Sequence, residues 1–327
     1  MKIGKAPEQV LKRSVLQQIK NRRAEVRLGA SVGEDCAAVS LAEDEMFVIS
    51  TDPITGTAKD IGQLAVQVTI NDLASAGAAP IGVMLTILLP ERVSENKLKE
   101  MMQQAEAACA KADMQIMGGH TEITKAVTQP VISVVGVGKA KKGELISTGG
   151  ARAGMDLVIT KWIGIEGTSI IAKEKEEQLR SRFAQSFIDV AKGFDAYLSV
   201  LAEASIAVRC GAAAMHDVTE GGIFGALWEM AEASGVGLFV DLKKIPVRQE
   251  TIEICEFFDL NPYELISSGS MLIAVPNGGQ LVYELEKEGI HAVVVGKATE
   301  GNDRIVYSSE EQRFLEPPKA DELYKVV

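Results

Sequence analysis

Gly118–Glu122 reads GGHTE. It is set between the apolar run DMQIM (113–117) and the β-branched stretch ITKAVTQPVISVVGVG (123–138). Two glycines, a histidine, a threonine and a carboxylate occupy five consecutive positions, in a chain of 327 residues with three histidines in all. Alone, the stretch reads as a polar turn between two apolar segments, because glycine and short polar residues favour turns. Alongside other acids in the same half of the chain, it reads as a place where backbone can approach a ligand. The choice decides whether the first half is a plain α+β scaffold or one built around a site.

Working outward, the first half holds strand-like runs: CAAVSL (36–41), MFVIST (46–51), IGVMLTILL (81–89) and VISVVGVG (131–138). Each is short and rich in β-branched residues, as strands are. An amphipathic helix is expected from Val10, Leu11, Val15, Leu16 and Ile19. A second helix, Ile61–Gly77, is apolar on most sides, as a buried helix would be. A third, Ser94–Ala112, opens on a capping serine and carries one stripe: Leu98, Met101, Met102, Ala105, Ala108, Cys109 and Ala112. That stripe makes Cys109 a core thiol. After KAKKGE (139–144), the glycine-rich STGGARAGMD (147–156) marks a boundary, giving expected domains of 1–150 and 151–327. The second half opens on DLVITKWIG (156–164). A helix-rich region with Phe183, Phe187, Phe194 and Tyr197 follows, then AAAMHDVTEGG, the helix IFGALWEMAEAS, and the strands VGLFVDL, SMLIAV and HAVVVGKA. Neither half alternates strand and helix strictly, so an α+β pair of domains is expected rather than a doubly wound sheet.

Composition narrows the function. The net charge of −11 disfavours nucleic acid and anionic membranes as partners. No apolar run reaches the roughly 18 residues a membrane helix needs, and the N-terminus carries no signal-peptide pattern. Cys36, Cys109, Cys210 and Cys255 stand far apart, with no metal-ligand spacing, which suits a reducing cytoplasm. There is no G-x-x-x-x-G-K-[ST] loop, no G-x-S-x-G elbow and no dinucleotide fingerprint.

Acids sit beside glycines or strand ends in GEDCAAV (Asp35), ISTDPITG (Asp52), TINDLASAG (Asn71, Asp72) and GGHTE (Glu122). Each alone reads as a turn former or cap. Asp72 differs, because helical spacing puts it on one stripe with Ile61, Ala65 and Val68. A carboxylate there is desolvated and needs a cation or strong donors; magnesium bridging to nucleotide phosphates would serve. The alternative is a helix-end aspartate paired with a lysine. In DVTEGG, Gly221 and Gly222 precede a helix whose first N–H groups favour an anion, with Thr219 as a cap and Glu220 in the first turn. His120 and His216 adjoin these motifs. Neither has a second ligand at metal spacing, so each reads as a hydrogen-bonding or acid–base group or as a tolerated loop residue. His291 reads as structural.

The ordered set GEDCAAV, STD, INDLASAGAAPIGV, GGHTE and DVTEGGIFGALWEMAEASGVG resembles the aminoimidazole ribonucleotide (AIR) synthetase-like superfamily over nearly the whole chain. That superfamily includes thiamine-monophosphate kinase, selenophosphate synthetase and the hydrogenase maturation factor HypE. The T-x-GG helix start with EMAEASGVG is similar to the HypE branch. The resemblance implies an N-terminal domain whose strands form a barrel across a homodimer, and a C-terminal α/β sandwich domain. It implies ATP with Mg²⁺, held by Asp35, Asp52, Asp72 and Glu122. Asn71, Gly118, Gly119, Thr121, Asp217, Thr219, Gly221 and Gly222 would contact the nucleotide, with Asp72, Glu122 and His120 as the catalytic set. Lys2 and Lys5 are candidates for a phosphate-contacting lysine. The implied chemistry uses the ATP γ-phosphate to activate an amide or carboxylate oxygen on a small-molecule or protein-borne acceptor, with a further maturation protein as partner. HypE acts on a C-terminal cysteine, whereas this sequence ends PPKADELYKVV and its last cysteine is Cys255. The HypE reaction in cis is therefore not expected. A small-molecule kinase of the thiamine-monophosphate type and a non-catalytic nucleotide-binding scaffold are the alternatives.

Overall fold

The computed structural model describes residues 3–31, 36–55, 60–309, 311–317 and 319–327. The chain divides into two compact units, 1–74 with 78–145, and 75–77 with 146–327.

The first unit contains β1 (Gly4–Lys5), α1 (Glu8–Val10), β2 (Val26–Leu28), β3 (Ala38–Val39), β4 (Glu45–Ile54), α2 (Ile61–Ser75), β5 (Ala79–Leu89), α3 (Glu95–Lys111), β6 (Gln115–Ile123) and β7 (Val131–Lys141). Strands β2 and β3 form a small ribbon, and the rest make a five-stranded sheet in the order β1-β6-β5-β7-β4. The β5–β6 pair is parallel and the other pairs are antiparallel. The sheet is open. Its long edge is β4, where Pro53 is tolerated because an edge strand can spare an N–H. Helix α2 packs on one face: a Cβ at Gly136 would meet the Thr69 side chain, and one at Gly138 would crowd Leu73. Helix α3 is capped as its sequence implies, Ser94 accepting the Lys97 N–H at 3.2 Å. Its stripe is buried, Cys109 included, and burial pushes that thiol's pKa up.

The expected N-terminal helix departs from the periodic pattern. Only Glu8–Val10 is α-helical; Leu11–Val15 widens into a π turn and Leu16–Gln18 tightens into a 3₁₀ turn. Two polar residues fall on the buried side and are satisfied there. The Ser14 hydroxyl donates to Glu95 at 2.7 Å, and the Gln18 amide donates to the Arg13 carbonyl at 2.8 Å.

The second unit contains β8 (Asp156–Thr160), α4 (Ile165–Glu174), α5 (Glu176–Leu179), α6 (Gln185–Lys192), α7 (Leu201–Arg209), β9 (Ala214–Asp217), α8 (Gly222–Ser234), β10 (Gly237–Asp241), α9 (Gln249–Phe258), β11 (Met271–Val275), α10 (Gly278–Lys287), β12 (Ala292–Thr299), β13 (Arg304–Ser308) and β14 (Glu311–Phe314). The seven strands run in the order β14-β13-β10-β12-β8-β11-β9. All pairs are antiparallel except β10–β13. Strand β11 is buried along its whole length, and its run of apolar residues reads accordingly. Helix α8 covers the sheet with Ile223, Leu227, Met230 and Ala231, and ends on Gly235 in the left-handed conformation.

Candidate functional site

GGHTE is neither a turn nor a loop. It lies inside β6, in register with β5: Gly118 faces Met84, Gly119 Leu85, His120 Thr86, Thr121 Ile87 and Glu122 Leu88. The register slips by one residue at Met117, a bulge just before the glycines. Gly119 has φ +145°, and a Cβ there would stand 2.0 Å from the Leu85 carbonyl oxygen, so no other residue fits. The glycines thus bring two strand backbones together. Gly118 to Thr121 line a cavity of about 50 Å³ with Leu16, Ala30 and Ser31 among its other walls.

Alternation along the strands sorts the predicted acids. On β4, Ser50 and Asp52 point to the α2-covered face, as the hydrogen bond from the Ser50 hydroxyl to Asp72 Oδ2 on α2 requires. Asp52 pairs with Val134, which pairs with Leu85, so the same face continues through Gly119 and Thr121. Gly118, His120 and Glu122 belong to the other face. There His120 Nε2 lies 3.4 Å from Glu122 Oε2, with both side chains partly exposed. The structure brings Asp52 and Asp72 to one face and does not bring Glu122 to them, which corrects the expected set of four converging carboxylates. The cause is strand parity: Glu122 is three residues from Gly119, an odd step that turns it away. Asp35 and Lys2 lie outside the described residues, and the sheet register sets Lys5 opposite Glu122.

Asp72 is half-buried rather than fully desolvated, while its neighbour Asn71 is completely buried with Oδ1 accepting from Gln67 at 3.0 Å. Asp52 is the more demanding group. Its Oδ2 is buried and, among the described residues, has no hydrogen-bond partner. A buried carboxylate oxygen of that kind calls for a cation or a donor from a ligand. Hard oxygen donors from Asp52 and Asp72 on one face fit Mg²⁺. Sequence reasoning missed Ser50, whose partner Asp72 stands 22 positions away on α2.

In the second unit, Asp217 ends β9 opposite Met271 and is buried. Thr219 and Glu220 do not cap α8 or enter its first turn. Gly221 is the cap residue at φ 80° and makes no side-chain cap bond, and Gly222 is also left-handed at φ 60°. Thr219 stands two residues before the left-handed cap Gly221, and the helix begins at Gly222. A Cβ on Gly222 would stand 2.5 Å from the Tyr263 carbonyl oxygen. The Gly221 N–H, expected to face an anion, donates to Asp321 Oδ2 at 2.7 Å. A cavity of about 280 Å³ adjoins the pair, lined by Gly221, Phe224, Gly225, Glu264, Arg313 and Lys319 among others. Glu166 on α4 is a further buried acid that sequence reading passed over. It accepts the Ser268 N–H at 3.1 Å, and burial, with Asp321 and Asp217 nearby, raises its pKa to about 7. His216 bridges β9 to α8 through Glu229 Oε2 at 2.8 Å. His291 stacks on Trp162, as a structural residue would.

Among the described residues no helix is long and apolar enough to cross a membrane. Residues 33–140 match the model of the AIR synthase related protein N-terminal domain, and 152–308 match that of the C-terminal domain. A protein of Methanocaldococcus jannaschii carrying the name hydrogenase expression/formation protein is 27% identical, over 99% of this chain and 97% of its own length. The carbamoyl dehydratase HypE of Cupriavidus necator is 30% identical over 73% of this chain and 68% of its own. Among solved structures, the hydrogenase maturation protein HypE in complex with ATP superposes with a TM-score of 0.81 at 20% identity, covering 98% of this chain and 96% of that one. A chain of a HypE–HypF complex gives 0.72 at 22%, over 83% and 90%. The mixed α/β two-domain fold is the one these structures share. With both of its domains matched in order over most of its length, the chain belongs to the AIR synthase related protein family.

Proposed function

We propose that this chain is an ATP-dependent enzyme of the HypE type, acting in hydrogenase maturation by transferring the ATP γ-phosphoryl group to an amide or carboxylate oxygen. The acceptor oxygen bonds to the γ-phosphorus as the bond to the ADP oxygen breaks, which turns the acceptor oxygen into a leaving group. Such transfers need positioning and charge neutralisation more than covalent help from the protein.

The observation that carries this reading is the buried Oδ2 of Asp52, unpartnered among the described residues, on the same face as Asp72. These two carboxylates would hold Mg²⁺, with Asp35 as a further ligand. The metal, when bound, neutralises phosphate charge. Ser50 occupies Asp72 Oδ2 as a donor and so fixes that carboxylate's orientation. Gly118 and Gly119 lack the side chains that would keep a phosphate from the β6 backbone. His120 and Glu122, a close couple on the open face, remain the candidates for moving a proton at the acceptor. In the second unit, Asp217 and the Thr219–Gly222 loop are assigned to the nucleotide. A second copy of the chain and a HypF-type maturation protein are the proposed partners, the relatives' names supporting the second.

The test is mass spectrometry of ATP with Mg²⁺, carbamoylated peptide and other amide or carboxylate acceptors. ADP with a phosphorylated or dehydrated acceptor is expected, at a rate that Asp52→Asn lowers by about 100-fold or more. Phosphorylation of thiamine monophosphate instead would select the small-molecule kinase, and ATP left intact with every acceptor would select the scaffold.

A further inference from the structure

The matched C-terminal domain ends at residue 308, yet the chain beyond it is built into the glycine-pair loop. Asp321 is almost fully buried, with only 3% of its surface exposed. One of its carboxylate oxygens accepts the Gly221 N–H at 2.7 Å and the other accepts the Leu323 N–H at 2.8 Å. Glu322, also buried, accepts the Asn261 N–H at 3.0 Å, on the segment whose Tyr263 carbonyl abuts Gly222. The Tyr324 hydroxyl donates to Glu220 Oε1 at 2.5 Å. Leu323 anchors the whole segment in an apolar cluster with Ile171, Leu260 and Leu265.

We propose that Asp321 is a positioning residue for the Thr219–Gly222 loop, fixing the backbone orientation in which the glycine pair meets a nucleotide. The need for such a residue follows from the loop's own chemistry. Two consecutive left-handed glycines have more backbone freedom than any other pair and no side chains with which to hold themselves. A side chain at the cap position would ordinarily restrain them, and the cap residue here is Gly221, which makes no side-chain cap bond. The restraint comes from 100 residues away. A buried carboxylate saturated by backbone N–H groups is directional, and losing its donors would leave it unsolvated, so the two partners hold each other. Glu220, next to Gly221 in the chain, is held by Tyr324, and Asn261, on the segment that abuts Gly222, is held by Glu322. The segment therefore holds the loop at two points, Glu220 and Gly221, and the neighbouring Asn261 segment at a third.

The loop's role with nucleotide rests on the reading above, and the experiment separates the two. In the full chain, Asp321→Asn presents an amide N–H or a weaker carbonyl to Gly221. Amide hydrogen exchange at Gly221–Gly225 is expected to rise about 10-fold or more. Exchange in β8 and β11 should stay as in the wild type, and the KM for ATP should rise about 10-fold with kcat changed less than about 2-fold. Unchanged exchange at Gly221–Gly225 would overturn the proposal, as would equal KM values or a loss confined to melting temperature. Should Asp321→Asn not fold, Tyr324→Phe removes an exposed contact on the same loop. It is expected to raise exchange there and KM by about 2- to 3-fold, and no change in either would count against the proposal. A wild-type protein that binds no ATP overturns the nucleotide reading alone, while exchange at the loop still decides what Asp321 does.

Discussion

At the scale of single residues, the chain places carboxylates in three different environments. Asp52 is half-buried, with its buried Oδ2 unpartnered among the described residues, Asp72 is held by Ser50, and Glu166 is sealed in the second unit with two further acids close by. For Glu166 the folded pKa is raised from 4.5 to about 7. The folded state therefore binds this proton more tightly than the unfolded chain, and stability falls as pH climbs from about 4.5 to about 7. At 1.36 kcal/mol per pKa unit that loss is about 3 kcal/mol, complete above the folded pKa. Glu166→Gln keeps an acceptor for the Ser268 N–H and removes the titration. Its melting temperature relative to wild type should rise by about 5 °C or more between pH 4.5 and pH 8. A difference that stays constant with pH would mean that Glu166 is not the buried acid described here. Residue type and spacing were enough to single out Asp72 and the glycine pairs, because those residues break local rules of solvation or backbone conformation, whereas Asp52 gained its role only through the family resemblance. Ser50, Glu166 and Asp321 were not legible. Their significance lies in partners 22, 102 and 100 positions away, which no local pattern records.

Elements were easier to read than faces. The strands β4, β5 and β7 and the two long helices of the first unit lie where they are expected, and α3 keeps even its capping serine. Strand β6 takes in a stretch that reads as a turn, and CAAVSL is a strand only at Ala38–Val39. The failures came where one residue changes parity. The extra Met117 and the odd step from Gly119 to Glu122 send the acid of GGHTE to the face opposite Asp52, and no sequence count predicts a bulge. The widened turn at Leu11–Val15 likewise answers a tertiary demand, the burial of Ser14 beside Glu95. That opposite face has its own meaning. Phe47 is 50% exposed and Ile49 65%, beside the exposed Val135 on the neighbouring strand, and β4 is a free edge. Apolar surface and an open edge together favour closure by another copy of the sheet. Ile49→Glu should convert a dimer to a monomer in sedimentation equilibrium without lowering the monomer's melting temperature. A wild-type protein that sediments as a monomer would remove the dimer from the account.

For the whole molecule, each unit carries part of the proposed chemistry on a scaffold of mixed sheet and helices. The first holds Asp52 and Asp72, the proposed cation ligands, on one face. The second presents a glycine-pair loop restrained by the chain's own C-terminal segment. The order of motifs along the chain made the family recognisable, because those motifs sit at strand ends, tight approaches and helix starts, where few residue types are tolerated. The acceptor was not legible, since nothing in the spacing of these residues encodes its shape. The central claim is that Asp52 and Asp72 bind nucleotide through Mg²⁺. Its most direct test is calorimetric titration of ATP into the wild-type protein, Asp52→Asn and Asp72→Asn, each with Mg²⁺ and with EDTA. Saturable binding by the wild type with Mg²⁺ is expected, weakened about 100-fold or more by EDTA or by either substitution. Binding of equal strength in all six titrations would contradict it.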